Sequence, residues 1–386
     1  MAVPVELEPA WVLGLCRRDS VAGVVNVPPD LCWDKALRYS SRHRLGPTVY
    51  WRLREAGFPG VPDAVREQLQ QGFRGTVGTN LAFARLFVGL LDRLESEGVR
   101  VIALKGPVAA YAHHGNLAAR QFGDLDLLVP RENAAAALTC LRALGFAPDV
   151  MLEERHFRVL VRTRRELKLR HSSGWAVDLH WESLGPHFAW CSEETLWERS
   201  VEVDFEGRPA RTLGAVDLAI YYCLKAAEDG WSTVYQLLDA ARIIELLSEE
   251  EWGHLVVGAK KGGKWRAVGT SILLARELLG AGRPSTVGDD VERRRDIREL
   301  AARAAPRLLR SEMPGLSFPR LVAEQLRCLE RWRDRVSLLR LLTVQPGERD
   351  LTLLPAWLAF PPFLQMVRIV RTVGNLATSA QDRAAA

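Results

Sequence analysis

Hydrophobic positions along this chain recur with two different periods, and the period changes twice. From Asn80, the run NLAFARLFVGLLDRLESEGV sets Phe83, Phe87, Leu90, Leu91 and Leu94 three and four residues apart. That spacing lays apolar side chains along one face of a helix. Upstream, PDAVREQLQQGF begins with Pro62 and Asp63, a residue without an N–H and a negative charge, both suited to a helix N-terminus. Gly98 predicts the stop, since glycine readily takes the left-handed conformation that ends helices.

Beyond Val99 the texture shortens. VRVIAL, GDLDLLV, HFRVLVR, ELKLRH and WAVDLHWE read as strands, joined by Arg/Thr-rich and SSG turns. RENAAAALTCLRALGF is rich in alanine and leucine and predicts a helix ending at Gly145. After about Glu193 the helical period returns in AVDLAIYYCLKAAEDGW and VYQLLDAARIIELL, with Gly230 between them, and again in SILLARELLG. KKGGKW (260–265) reads as an exposed loop, a weak candidate for a phosphate nest, and RPSTVGDDVERRRD as a polar surface connection. Strands and helices mixed in a short central stretch predict an α+β unit. Three regions follow: a helical region at 1–97, an α+β core at 98–192 and a helical region at 193–386.

Composition narrows the class without changing this outline. The chain has 386 residues, 48% hydrophobic and 26% charged, the proportions of a globular protein. No basic start leads into an apolar core and a small-residue cleavage site, so no signal peptide is expected. The six cysteines form no CxxC pair or zinc-like cluster, which favours free thiols in a reducing cytoplasm. A net charge of +5 permits a polyanionic partner without requiring one. The apolar stretch LTLLPAWLAFPPFLQMVRIV (351–370) has the length of a bilayer span but contains Pro355, Pro361 and Pro362. Prolines break the hydrogen-bond ladder a lipid-exposed helix must keep, so a packed loop and helix are expected there and no membrane span.

The chemistry concentrates in RQFGDLDLLVP (120–130), where Asp124 and Asp126 flank Leu125. In a strand, residues two apart share a face, so the two carboxylates would crowd together. Burying two like charges is costly unless something positive joins them. A divalent cation with hard oxygen ligands, Mg²⁺ or Mn²⁺, would do so. WAVDLHWE offers a third carboxylate, Asp178, with His180 and Glu182 on its face; His180 reads as a packing or supporting group rather than a base. Asp124, Asp126 and Asp178 could then hold two metals roughly 3.5–4 Å apart for phosphoryl or nucleotidyl transfer. Upstream, LKGP presents Lys105 as a cation and Gly106 for close backbone approach ahead of a helix, an arrangement suited to phosphate. There is no GxxxxGK[ST] and no GxGxxG. The basic run RVLVRTRRELKLRH (158–171) reads as a charged, solvent-facing sheet edge, with a binding surface for a nucleotide phosphate or an anionic acceptor as the alternative.

Together, VRVIALKGPVAAY, RQFGDLDLLVP and VDLHWE resemble the DNA polymerase β-like nucleotidyltransferase superfamily. More closely, they are similar to its bacterial family of uncharacterised nucleotidyltransferases, with a Lys-Gly turn where Gly-Ser is usual. ALRYSSRHRLGPTVYWRL, GWSTVYQLLDAARII and PGERDLTLLPAWLAFPPF extend the likeness over most of the chain. The resemblance implies a small polymerase-β-like mixed sheet flanked by helical regions. It implies Asp124, Asp126 and Asp178 as metal-binding and catalytic carboxylates, and Lys105, Gly106 and Arg120 at the nucleotide. The activity implied is transfer of NMP from an NTP, ATP foremost, to a small-molecule, peptide or protein acceptor, with release of pyrophosphate. An RNA acceptor such as tRNA, or a non-catalytic nucleotide-binding scaffold, are the alternatives. A His-rich HGxKHxW-like segment of the family is replaced here by KAAEDGW (225–231), although Trp231 and the later Asp239 still fit.

Overall fold

The computed structural model describes residues 6–17, 25–114, 116–282, 284–312, 315–351, 353 and 363–368. In chain order these carry α1 (Leu7–Cys16), α2 (Trp33–Arg42), α3 (Gly46–Glu55), α4 (Asp63–Ser96), β1 (Ile102–Ala103), α5 (Pro107–His114), β2 (Leu125–Leu128), α6 (Ala134–Ala143), β3 (Phe146–Pro148), α7 (Glu154–Thr163), β4 (Glu166–His171), β5 (Ala176–His180), α8 (Glu193–Arg199), β6 (Val201–Phe205), β7 (Arg208–Thr212), α9 (Ala215–Glu228), α10 (Val234–Ile244), α11 (Glu249–Gly262), α12 (Trp265–Leu279) and α13 (Ser285–Arg293), with further helices beyond. The architecture is α+β, as expected. The chain forms two compact units, each assembled from three stretches: residues 1–87, 103–122 and 190–330 in one, and 88–102, 123–189 and 331–386 in the other.

The unit containing β2 to β5 holds the acidic strand. Its strands run in the order β3-β4-β5-β2, with β3 and β4 antiparallel, β4 and β5 antiparallel, and β5 and β2 parallel. Alternation sends Leu125, Leu127, Leu167, Leu169, Val177 and Leu179 to one face, where all six are buried. Their intervening neighbours take the opposite face. Register is therefore fixed by polarity, because a slip of one residue would turn charged side chains such as Asp126 and Asp178 into this apolar face.

The larger unit is mostly helical. α9 and α12 are apolar nearly all round and pack with α10 as its centre. β6 and β7 form an antiparallel pair, and β7 runs parallel to β1, where the Thr212 hydroxyl donates to the Ala103 carbonyl at 2.9 Å.

Several local expectations are corrected. HFRVLVR belongs to α7, a helix that buries His156, Phe157, Val159 and Leu160. Those positions are one, three and four apart, a helical stripe that the β-branched valines disguise as a strand. KKGGKW is not an exposed loop. Lys260 and Lys261 close the last turn of α11, where cations suit the carbonyl end, and Gly263 caps it at φ +71°. Lys264 is only 1% exposed. Most of RPSTVGDDVERRRD is α13 rather than a connection. The basic run does not lie at a sheet edge, because β4 is flanked by β3 and β5. The apolar stretch 351–370 falls mostly outside the described residues. Among the described residues, no helix is long and apolar enough to cross a membrane.

Candidate metal and nucleotide site

The pairing of β2 with β5 sets Asp126 directly beside Asp178. Antiparallel pairing on the other side of β5 sets Lys168 against Asp178 and Glu166 against His180. Five ionisable side chains of three adjacent strands therefore share one face, opposite the apolar face that holds the strands in register. Asp126 and His180 are almost wholly buried.

The contacts are close. His180 Nε2 lies 3.2 Å from Asp126 Oδ1, and its Nδ1 lies 3.0 Å from Glu166 Oε2. Lys168 Nζ lies 3.1 Å from Asp178 Oδ1 and 3.5 Å from Asp124 Oδ2. Asp124 stands just before β2 with its side chain 40% exposed, so Lys168 is its link to the group. Glu182 is engaged elsewhere, in an ion pair with Arg131.

Electrostatics follow from this crowding. Burial lowers the basicity of His180, but Glu166 and Asp126 outweigh it and carry the imidazole up to about 9. Burial and the neighbouring Asp126 charge raise Asp178 above the ordinary carboxylate range, against the pull of His180 and Lys168. Burial acts to lower Lys168, yet Asp178 and Asp124 hold it above its usual value.

One ligand atom from each of Asp126, Asp178 and His180 can be chosen so that all lie within 4.8 Å of one another. Asp178 Oδ1 is buried and accepts no aligned hydrogen bond despite the nearby ammonium. A buried carboxylate oxygen in that condition fits a cation ligand. Two carboxylates and an imidazole suit a hard to borderline divalent ion; the imidazole tilts the set from Mg²⁺ toward Mn²⁺. Asp126 and Asp178 are thus brought together, His180 joins them, and Asp124 stands outside this group.

The remaining expected residues lie in the other unit. Gly106 adopts φ +81°, a conformation that L side chains rarely take, immediately before Pro107 opens α5. Lys105 precedes that turn; burial pushes the Tyr222 hydroxyl well above its ordinary pKa, and the Lys105 charge is one of several influences that act on it, pulling it down. Arg120 is buried, and its Nε donates to Asp239 Oδ2 at 2.8 Å. Its Nη1 is buried without a hydrogen bond. The Asn80 amide donates to the Arg120 carbonyl at 2.7 Å, fixing the backbone at the same point. The ionic partner of Arg120 is Asp239, while the carboxylates of the acidic strand meet Lys168 and His180.

Three participants were missed or undervalued in the sequence: Lys168, Glu166 and His180. A signal for them existed in the alternation of ELKLRH, which puts Glu166, Lys168 and Arg170 on one face.

A family model described as "uncharacterised nucleotidyltransferase" matches residues 29–280. A comparison with curated proteins gave no match. The matched span covers more than half of the chain and contains the Lys-Gly turn, the acidic strand and the Asp178 strand. The chain therefore belongs to the family of uncharacterised nucleotidyltransferases.

Proposed function

We propose that this protein is a divalent-metal-dependent nucleotidyltransferase that moves NMP from an NTP, ATP foremost, to a small-molecule, peptide or protein acceptor. In the reaction an acceptor oxygen or nitrogen bonds to the α-phosphorus as the bond to the bridging pyrophosphate oxygen breaks. The acceptor's proton is released, and pyrophosphate leaves. The observation that carries this reading is the parallel register of Asp126 with Asp178, with His180 within ligand distance of both.

Each residue has a task that its surroundings support. Asp126 and Asp178 would hold the cation, whose charge when bound would neutralise the triphosphate and the leaving group; Asp124, which stands outside this group, would join them once released from Lys168. His180 would complete the ligand set, and Glu166 would orient its ring through Nδ1. Gly106 would let backbone N–H groups approach phosphate, Lys105 would supply charge there, and Arg120 would be held for the same purpose by Asp239.

The test is pyrophosphate release from each NTP with Mg²⁺ or Mn²⁺, in the presence of fractionated acceptor extracts, comparing parent with Asp126→Ala. Release by the parent that is absent from the variant is expected. If no NTP, metal and acceptor fraction gave release above the variant, the reading would fail; nucleotide binding surviving without metal would then favour a scaffold.

A further inference from the structure

The larger unit contains an open cleft of about 420 Å³. That volume falls in the range of small-molecule sites. One long wall is a single face of α3, which contributes Pro47, Thr48, Trp51, Arg52 and Glu55 at helical spacing. Phe73 from α4, whose ring meets that of Trp51, and the pair Leu238 and Arg242, one turn apart on α10, also line the cleft. Asn116 and Ala119 complete the lining.

Two features give this cleft a ligand chemistry. The first is aromatic: Trp51 and Phe73 have ring centroids 6.2 Å apart at 45°, and Phe73 stacks on Tyr50 at 4.4 Å. Such a wall is a platform for a flat ring. The second is cationic. Arg52 Nη2 donates to the Arg17 carbonyl and Arg242 Nη2 donates to the Cys16 carbonyl, both at 3.1 Å. Each Nη1 in addition meets a carboxylate, Glu55 or Glu245, at 3.3 Å. These bonds fix both guanidinium planes while using two of the five donors that each arginine carries. Two arginines immobilised beside an aromatic platform are prepared for a planar anion, because ordering them costs little on binding.

The cleft also adjoins the nucleotide residues of its own unit. Ala119 precedes Arg120, and Leu238 precedes Asp239, so two lining residues are chain neighbours of the buried ion pair.

We propose that this cleft binds a small aromatic carboxylate, its ring on Trp51 and Phe73 and its carboxylate on Arg52 and Arg242. No residue of the acidic face lines the cleft, and the site needs no metal. The same chemistry, a flat ring with an anionic group, also describes a nucleotide, so the test distinguishes the two.

The experiment is isothermal titration calorimetry of the full chain, without metal or NTP, using 4-hydroxybenzoate and indole-3-carboxylate as probes and 4-hydroxybenzamide as a neutral analogue. At least one acid is expected to bind saturably with Kd below about 1 mM. The neutral amide should bind at least about tenfold more weakly, because it forfeits the charge-assisted bonds. Thr48→Trp, which fills the cleft, and Trp51→Ala, which removes the platform, should weaken binding of the acid by a similar factor. Thermal midpoints close to the parent's would verify that both variants fold. The proposal is overturned if neither acid binds saturably, if binding survives both substitutions, or if the amide binds as well as the acid. It is also overturned if metal-free ATP binds more tightly than the acids and displaces them, which would give the cleft to the nucleotide. Because the readout is equilibrium binding, absence of nucleotidyl transfer would leave this result standing, and the reverse.

Discussion

Lys168 Nζ lies 3.1 Å from Asp178 Oδ1, its cross-strand neighbour on β5, and so a protein cation already occupies the edge of the proposed metal site. An ammonium there repels an incoming dication. Lys168→Met should tighten Mn²⁺ binding about three- to tenfold, a modest effect because the pair is partly exposed and screened. The same variant should lower the thermal midpoint of the metal-free protein, since Asp178 loses its partner, and Mn²⁺ should restore it. Metal titration by electron paramagnetic resonance, combined with thermal melts, checks both. Weaker Mn²⁺ binding in the variant would make Lys168 a support for the metal rather than its competitor.

His180 gives the site a pH signature. Its imidazole is carried from 6.5 to about 9 in the folded protein. The folded state therefore holds a proton that the unfolded state has released between these values. The stabilisation is complete below about 6.5 and disappears as pH rises through about 9. Thermal midpoints of metal-free protein should fall over that window, and His180→Gln should remove that component. Protonated imidazole cannot donate a lone pair to a metal, so Mn²⁺ affinity should rise over the same window. A parent and variant with parallel pH profiles would contradict this.

His43 supplies the opposite sign in the other unit. Burial lowers it to about 4, and its Nδ1 accepts a hydrogen bond from the Val234 N–H at 3.2 Å. Between about 4 and 6.5 the unfolded chain binds the proton first, so stability should rise with pH there. His43→Gln should flatten that rise in melts recorded from pH 4.5 to 7.

The buried pair Arg120–Asp239 should be costly to break from one side. Asp239→Asn leaves a buried guanidinium without its counter-charge, and a loss of about 3–5 kcal/mol is expected in urea unfolding. Arg120→Met with Asp239→Leu should cost much less than the sum of the single changes, because no charge is left unpaired. Additive losses would show that the two side chains act independently.

How much of this was visible in the sequence depended on distance along the chain. The acidic strand and the Asp178 strand were legible because period-two alternation set Asp126 and Asp178 against leucines and valines. Gly106 was legible as a residue that the turn needs. The partner of Asp178 required register. That register follows from the β4–β5 turn, where the His171 N–H donates to the Trp175 carbonyl at 2.9 Å. Counting outward from that pair brings Lys168 opposite Asp178, so treating the basic run as a solvent-facing edge overlooked a local rule. Asp239 is different: it is 119 residues from Arg120, and only tertiary packing joins them. α7 was misread because Val159 and Val161 favour strands in isolation, whereas burial on one helical stripe decided the outcome.

The central claim is that Asp126, Asp178 and His180 form a divalent-cation site. The most direct measurement is a Mn²⁺ titration of metal-stripped protein followed by electron paramagnetic resonance, for the parent, Asp126→Asn and Asp178→Asn. Saturable binding by the parent is expected, with each variant at least about tenfold weaker while still showing a cooperative melt. A parent that takes up no Mn²⁺, or variants that bind it as tightly as the parent, would contradict the claim.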